Sequence, residues 1–109
     1  MISLLLILLL EQRNYYDIPI ELVSKSKRTH ICVIAPIVYK RKQQDGDWHL
    51  TLAKTIKEIE HKLVIEIIPM IPLEVPSKGQ IVKACGIRRF DEHHKWMEIH
   101  PVETIEVIK

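Results

Sequence analysis

Hydrophobic and polar positions along this chain of 109 residues follow the two-residue period of β-strands. The clearest alternation runs over 47–53, where Trp48, Leu50 and Leu52 face one side and polar residues face the other. Four further runs are rich in β-branched residues and have strand length: 30–39, 63–68, 80–90 and 97–108. The pattern therefore predicts five strands.

Glycine and proline positions indicate where these strands turn or bend. Asp45-Gly46 is a strong hairpin signal between the first two strands. Pro36 predicts a bulge or an edge position in the first strand, and Gly86 predicts a sharp bend in the fourth. Pro19 predicts an extended lead-in over 17–23, because the residue before a proline is pushed out of the helical region.

The stretch 54–61 offers a helical alternative, and it is short enough to be a turn instead. Three prolines within 69–78 exclude a helix of any length there. Five strands joined by hairpins and one Pro-rich connection predict an all-β fold, namely a five-stranded Greek-key barrel over 18–109 that is like the oligonucleotide/oligosaccharide-binding (OB) fold. Closure into a barrel also removes the exposed edges that such apolar strands would otherwise present.

The first ten residues, MISLLLILLL, are almost wholly apolar. They are far shorter than the ~20 residues of a membrane-spanning helix. No basic residue precedes them and no small-residue cleavage pattern follows, so they fit a secretory signal poorly. We interpret 1–17 as an apolar N-terminal extension of the barrel domain, with a truncated leader or a membrane-surface anchor as alternatives. Residues 1–10 are therefore candidates for self-association or membrane contact. We interpret the protein as cytoplasmic, with membrane association or export as alternatives.

Charge is unevenly distributed, although the formal net charge is only +2. Between Leu22 and Gln44 there are six basic residues and no acidic one, whereas three glutamates and one lysine follow Trp96. The first half of the chain therefore predicts a basic patch, and lysines on solvated strand ends are the alternative.

The two cysteines, Cys32 and Cys85, lie in apolar alternating runs. Two cysteines are too few for a disulfide scaffold or for a zinc site made of cysteines alone. We predict that both are reduced and structural, because a half-buried strand position suits a small apolar side chain.

Polar residues with metal-binding chemistry concentrate in three short segments at strand ends: 45–49, 90–94 and 96–101. Alternate residues of a strand share a face, so Asp47 lies with His49, and Glu98 lies with His100. Imidazole and carboxylate groups suit zinc, manganese or iron(II). If a divalent metal is bound, the predicted ligands are Asp45, Asp47, His49, Asp91, Glu98 and His100. The favoured alternative needs no cofactor and is a hydrogen-bond network in which carboxylates fix the histidines.

The order of several short motifs resembles a group of small prokaryotic OB-fold proteins. The motifs are Asp45-Gly46-Asp47-Trp48-His49, Glu66 with Pro69, Pro76 with Gly79, Gly86 with Arg89 and Asp91, and the terminal stretch from Trp96 to Val102. The group carries a DGDxH stretch followed by a W-x-E-I-H-P-V stretch, and the resemblance covers 29–107. It implies an OB-like barrel and no particular activity.

A second, weaker likeness is to the staphylococcal-type nuclease, which is also an OB barrel. Its D-G-D-T turn supplies a calcium-binding aspartate, and Asp45 and Asp47 match that turn. Trp48 replaces the threonine, and the downstream arginine and glutamate constellation has no match here.

Three functions follow as hypotheses, and a binding module is favoured over an enzyme. The first is an OB-fold protein that binds single-stranded nucleic acid through basic residues and an aromatic platform, the predicted contacts being Lys40, Arg41, Lys42, Arg88, Arg89 and Trp96, with Phe90 as a second stacking residue. The second is a metal-dependent hydrolase, nuclease-like, that uses the Asp/His/Glu cluster. The third is a structural or interaction module.

Overall fold

Strands make up most of the computed structural model, which describes residues 14–58 and 60–109. The five predicted strands are present within a few residues of their predicted bounds: β2 (His30–Lys42), β3 (Trp48–Leu52), β4 (Leu63–Ile67), β5 (Ile81–Asp91) and β6 (Trp96–Val107). A two-residue strand, β1 (Tyr16–Asp17), precedes them. The predicted apolar segment 1–10 lies outside the described residues, and so do the interactions proposed for it.

The strands close into a barrel in the order β2-β3-β4-β6-β5, with β5 pairing back onto β2. All these pairings are antiparallel except β4 with β6, which is parallel. β1 adds to β2 in parallel, so that Tyr16 lies opposite Ile31. The predicted all-β, OB-like barrel is therefore confirmed.

Two irregularities let the long strands curve around the barrel. The pairing of β2 with β3 shifts register between Ile37 and Tyr39, just after Pro36. The pairing of β5 with β6 shifts on either side of Gly86. A Cβ atom at Gly86 would lie 2.7 Å from Cγ2 of Ile99, so this position requires glycine for the close approach of β6.

The lead-in differs from its prediction, since Ile20–Lys25 is a 3-10 helix and not an extended segment. Pro19 lies at its N-cap, and a proline restricts the residue before it but leaves the residues after it free to turn. Ile20 and Val23 lie one 3-10 turn apart and are both buried in the core, so burial favours the helix. The stretch after β3 has no helix in residues 54–58 and 60–62, as the turn interpretation predicts.

The prediction of reduced cysteines is wrong, because Cys32 and Cys85 form a disulfide. The two residues lie directly opposite each other on β2 and β5, with Cα atoms 4.1 Å apart. The two cysteines are 53 positions apart along the chain, so the sequence alone does not show that they are neighbours in the sheet.

The inward-facing residues of all five barrel strands form one apolar core, with Ile31, Leu50, Ile65, Val82 and Ile99 fully buried. Along each strand the alternate residues face outward. In the described part of the chain, no helix is long and apolar enough to cross a membrane. The outer face of β2, β3, β4 and β6 is where the polar residues collect.

Candidate functional site

A row of polar side chains crosses four neighbouring strands on the outside of the barrel. Arg41 of β2 pairs with His49 of β3, and His49 pairs with Glu66 of β4. The parallel register aligns Ile65 with Ile99, which places Glu66 level with His100 of β6. The row therefore runs Arg41, His49, Glu66, His100, and its order follows from strand register alone.

Glu66 holds the centre of this row through both of its carboxyl oxygens. His49 Nε2 contacts Oε1 of Glu66, and His100 Nδ1 contacts Oε2. His100 Nδ1 also lies 3.5 Å from Oε1 of Glu98. Only 6% of Glu66 and 1% of Glu98 are exposed, so two carboxyl groups lie side by side largely out of water.

Burial raises the pKa of the Glu66 carboxyl from 4.5 to about 7. Loss of water is the largest cause, since the charged form is poorly solvated there. The charge of His100 works in the opposite direction, and the neighbouring Glu98 and Asp47 raise the pKa further. A carboxyl with a pKa near neutrality is typical of functional sites.

A second His–carboxylate pair joins the end of β5 to the β5–β6 loop. Asp91 Oδ2 accepts a hydrogen bond from Nδ1 of His94 at 2.8 Å, and Oδ1 accepts the backbone N–H groups of His93 and His94 at 2.8 and 3.1 Å. These three donors, the His94 side chain first among them, lower the pKa of Asp91 below its usual range. Asp91 thereby fixes both the loop and the His94 ring.

Trp96 connects the loop to the buried row. Its indole ring stacks on the His94 ring, with centroids 4.4 Å apart and planes 6° apart. Its Nε1–H donates to Oε2 of Glu98 at 2.8 Å. Asp91, His94, Trp96, Glu98 and His100 thus form one continuous chain of contacts from the surface to Glu66.

Two residues of the row, Arg41 and His49, line a groove of about 640 Å³. Tyr39, His94 and Trp96 also line it. Lysines from two loops, Lys62 and Lys78, also line it. This volume lies within the usual range of small-ligand sites, roughly 300–1,000 Å³.

The predicted nucleic-acid contacts are divided among different surfaces. Arg41 and Trp96 line the groove, whereas Lys40 and Lys42 lie over the Trp48 ring, 4.9 and 5.8 Å from its centroid. Trp48 itself packs against the core, as its alignment with Leu50 predicts. Alternation along β2 explains the division, because Arg41 points away from its two basic neighbours.

The remaining basic and aromatic predictions lie away from the groove lining. Arg88 donates from Nε to the backbone oxygen of Arg28 at 2.9 Å. Arg89 and Phe90 are exposed at the far end of β5. His94, Lys62 and Lys78 line the groove and were not among the predicted contacts, and Tyr39, an aromatic candidate for base stacking in the sequence, lines it too.

The predicted metal ligands converge in part. Asp47, His49, Glu98 and His100 gather around Glu66. Asp45 does not join them, because its Oδ1 accepts the backbone N–H of Asp47 within the β2–β3 turn. Asp91 does not join them either, because its oxygens hold the β5–β6 loop.

Glu66, the central residue, is absent from the predicted site. Its signal in the sequence is an acidic residue within the apolar strand Leu63–Ile67, all five residues of which are buried. A carboxyl group inside such a strand requires partners, and this alone marks it for attention.

Comparisons with known proteins concern the fold. No protein-family model and no curated protein matches the chain. A protein assigned as an aspartyl-tRNA synthetase from Leishmania major is similar in structure, with a TM-score of 0.64 and 14% identity over 89% of this chain and 21% of that one. The hypothetical protein YgiW from E. coli is similar with a TM-score of 0.58 and 15% identity, over 89% of this chain and 100% of that one. The likeness is one of fold. This chain spans about a fifth of the synthetase chain and the whole of the YgiW chain.

Proposed function

We propose that this chain is an OB-fold binding module that holds single-stranded nucleic acid in the groove across β2, β3, β4 and β6. The observation that carries the proposal is the meeting of exposed rings and cationic side chains in one groove on the outer face of the barrel. OB barrels bind oligonucleotides on the face of their second and third strands and the adjoining loops, which here are β3, β4 and the loops beside them.

The rings offer stacking surfaces for bases. Tyr39 is 53% exposed, and Trp96 is held by its stack on His94. A base stacked on an aromatic side chain contributes about 1–3 kcal/mol, largely independent of sequence. Since Asp91 and Glu98 hold His94 and Trp96 in place, little conformational entropy is lost when a base arrives.

The charged side chains in and around the groove set the orientation of the bound nucleic acid. Arg41, Lys62 and Lys78 line the groove and suit phosphate groups, whereas the buried carboxyl groups of Glu66 and Glu98 repel them. Phosphates are therefore expected at the basic rim, with bases directed toward Trp96. The fold likeness to a segment of a protein assigned as a tRNA synthetase is in keeping with a nucleic-acid ligand.

Arg41 and its neighbour Lys40 provide a matched test of binding in the groove. Arg41→Ala and Lys40→Ala remove the same charge from adjacent positions of β2, but only Arg41 lines the groove. In a fluorescence anisotropy titration with a labelled mixed-sequence oligonucleotide at low salt, we expect Arg41→Ala to weaken binding roughly tenfold and to reduce the salt slope by about 0.7. Lys40→Ala should change binding much less.

Two outcomes contradict the proposal. One is the absence of measurable affinity at low salt for the full chain. The other is an equal loss in Arg41→Ala and Lys40→Ala, which assigns the binding to general surface charge and not to the groove.

A further inference from the structure

Three side chains on the outer face of the barrel have the chemistry and the spacing of a metal site. One ligand atom each from Asp47, Glu66 and His100 lie within 4.8 Å of one another. Ligands of one ion with bonds of about 2.2 Å lie roughly 3.6 Å apart in tetrahedral geometry and ~4.4 Å apart across an octahedron, so the observed limit is close to that of a bound set. Asp47 is half-buried and directly precedes β3.

The local charge also favours a cation. Asp47, Glu66 and Glu98 bring three carboxyl groups together, and Glu66 and Glu98 are buried. Within the described residues, the lysine ion pairs are those of Lys83 with Asp17 and of Lys95 with Glu92, and neither reaches this group. The partners of Glu66 are the imidazoles of His49 and His100, so three carboxyl groups face two imidazoles here.

We infer that Asp47, Glu66 and His100 bind one divalent transition metal ion, such as zinc or manganese, on the outer face of the barrel beside His49. One imidazole nitrogen and two carboxylate oxygens suit these ions, whereas calcium and magnesium prefer oxygen ligands alone. The ion replaces the contact between His100 and Glu66, so that both residues keep a partner. This inference does not depend on the proposed nucleic-acid binding.

Glu98 and His49 support the ligands in different ways. Glu98 lies 3.5 Å from Nδ1 of His100, is fixed by the Trp96 indole at 2.8 Å, and adds negative charge beside the ion. His49 is a positioning residue, because it holds Oε1 of Glu66 and leaves Oε2 for the ion. Hydrogen bonds to ligands of this kind orient them and typically change metal affinity 10- to 100-fold.

A second group, Glu58, Glu60 and His61, has similar spacing and serves as an internal control. It lies in the β3–β4 connection, where Glu60 and His61 are exposed. Exposed carboxylate and imidazole groups are solvated by water, which a metal has to displace, so we expect weak binding there. His61→Ala therefore removes one imidazole without touching the proposed site.

The test uses the full chain, made without a histidine tag and stripped with a chelator. Isothermal titration with zinc, manganese and calcium salts should show one equivalent of zinc or manganese bound and little calcium. Glu66→Gln keeps the shape of the side chain and should lower zinc affinity by roughly 100-fold or more, while His61→Ala should leave it unchanged. Cobalt(II) loading gives a visible spectrum that should be lost in Glu66→Gln, and far-UV circular dichroism checks that this variant is folded.

Three results overturn the inference: no stoichiometric zinc or manganese in the wild-type chain, unchanged affinity in folded Glu66→Gln, or loss of binding in His61→Ala. Retained zinc binding in a chain that binds no oligonucleotide supports the metal site and contradicts only the nucleic-acid proposal.

Discussion

Two His–carboxylate pairs on this barrel contain the same chemical groups and behave in opposite ways. The pKa of Glu66, between His49 and His100, is raised to about 7. The pKa of Asp91, beside His94, is lowered below its usual range. The difference shows that a histidine partner does not by itself decide where a carboxyl group titrates.

The surroundings of each carboxyl group decide its pKa. Glu66 belongs to an apolar strand in the barrel wall and has Glu98 beside it, so burial outweighs the attraction of His100. Asp91 is the last residue of β5, where one side-chain and two backbone N–H donors from the loop that follows favour its charged form. The pair of Asp91 and His94 is therefore suited to hold a structure in place, whereas the buried Glu66 carboxyl keeps its proton to a higher pH.

The largest expected effect is on the pH dependence of the free energy of unfolding, and it comes from Glu66→Gln in metal-free protein. The folded carboxyl keeps its proton up to about pH 7, whereas the unfolded one loses it near 4.5. The folded state thus binds more protons in this window, and its stability falls as the pH rises. Urea unfolding should show wild-type losing about 3 kcal/mol between pH 4.5 and 8 relative to Glu66→Gln.

Glu92→Gln is the matched control, because 82% of the Glu92 side chain is exposed and it lies in the loop region. It should follow the wild-type pH profile. An identical profile for wild-type and Glu66→Gln would mean that Glu66 is solvated and would remove the contrast between the two regions.

A smaller effect on the free energy of unfolding is expected at Trp96, which joins the β5–β6 loop to the buried row around Glu66. Trp96→Phe keeps a ring to stack on His94 but removes the N–H that Glu98 accepts. Leaving a buried carboxylate oxygen without this donor should lower the free energy of unfolding by about 1–2 kcal/mol. Thermal or urea unfolding of the wild-type chain and of Trp96→Phe measures this loss.

Trp48→Phe provides the comparison, since Trp48 packs on the core beside Lys40 and is not bonded to a buried carboxylate in the described structure. Equal losses in the two tryptophan variants would assign the effect of Trp96→Phe to ring size. The link between the loop and the buried row would then have no energetic support.

Much of the fold could be predicted from the sequence because its signals are local. Alternation at Trp48, Leu50 and Leu52 fixes a strand and its inner face, and Asp45-Gly46 fixes the turn before it. The same alternation correctly places Asp47 with His49 and Glu98 with His100 on shared faces.

What could not be predicted depends on register between distant strands. The parallel pairing of β4 with β6 brings Glu66 level with His100, and the pairing of β2 with β5 places Cys32 opposite Cys85. Asp45 and Asp91 share the composition of a metal site, but backbone N–H groups occupy their oxygens. Sequence pattern records neither register nor these turn hydrogen bonds.

Carbon-detected NMR of the side-chain carboxyl groups of Glu66 and Asp91, over a pH titration of chelator-treated protein, tests this contrast most directly. The account predicts that Glu66 titrates near pH 7 and that Asp91 stays ionised well below the pH at which a free aspartate takes up its proton. Titration of both groups at ordinary carboxyl values would contradict it, because neither burial of the one nor hydrogen bonding of the other would then be in force.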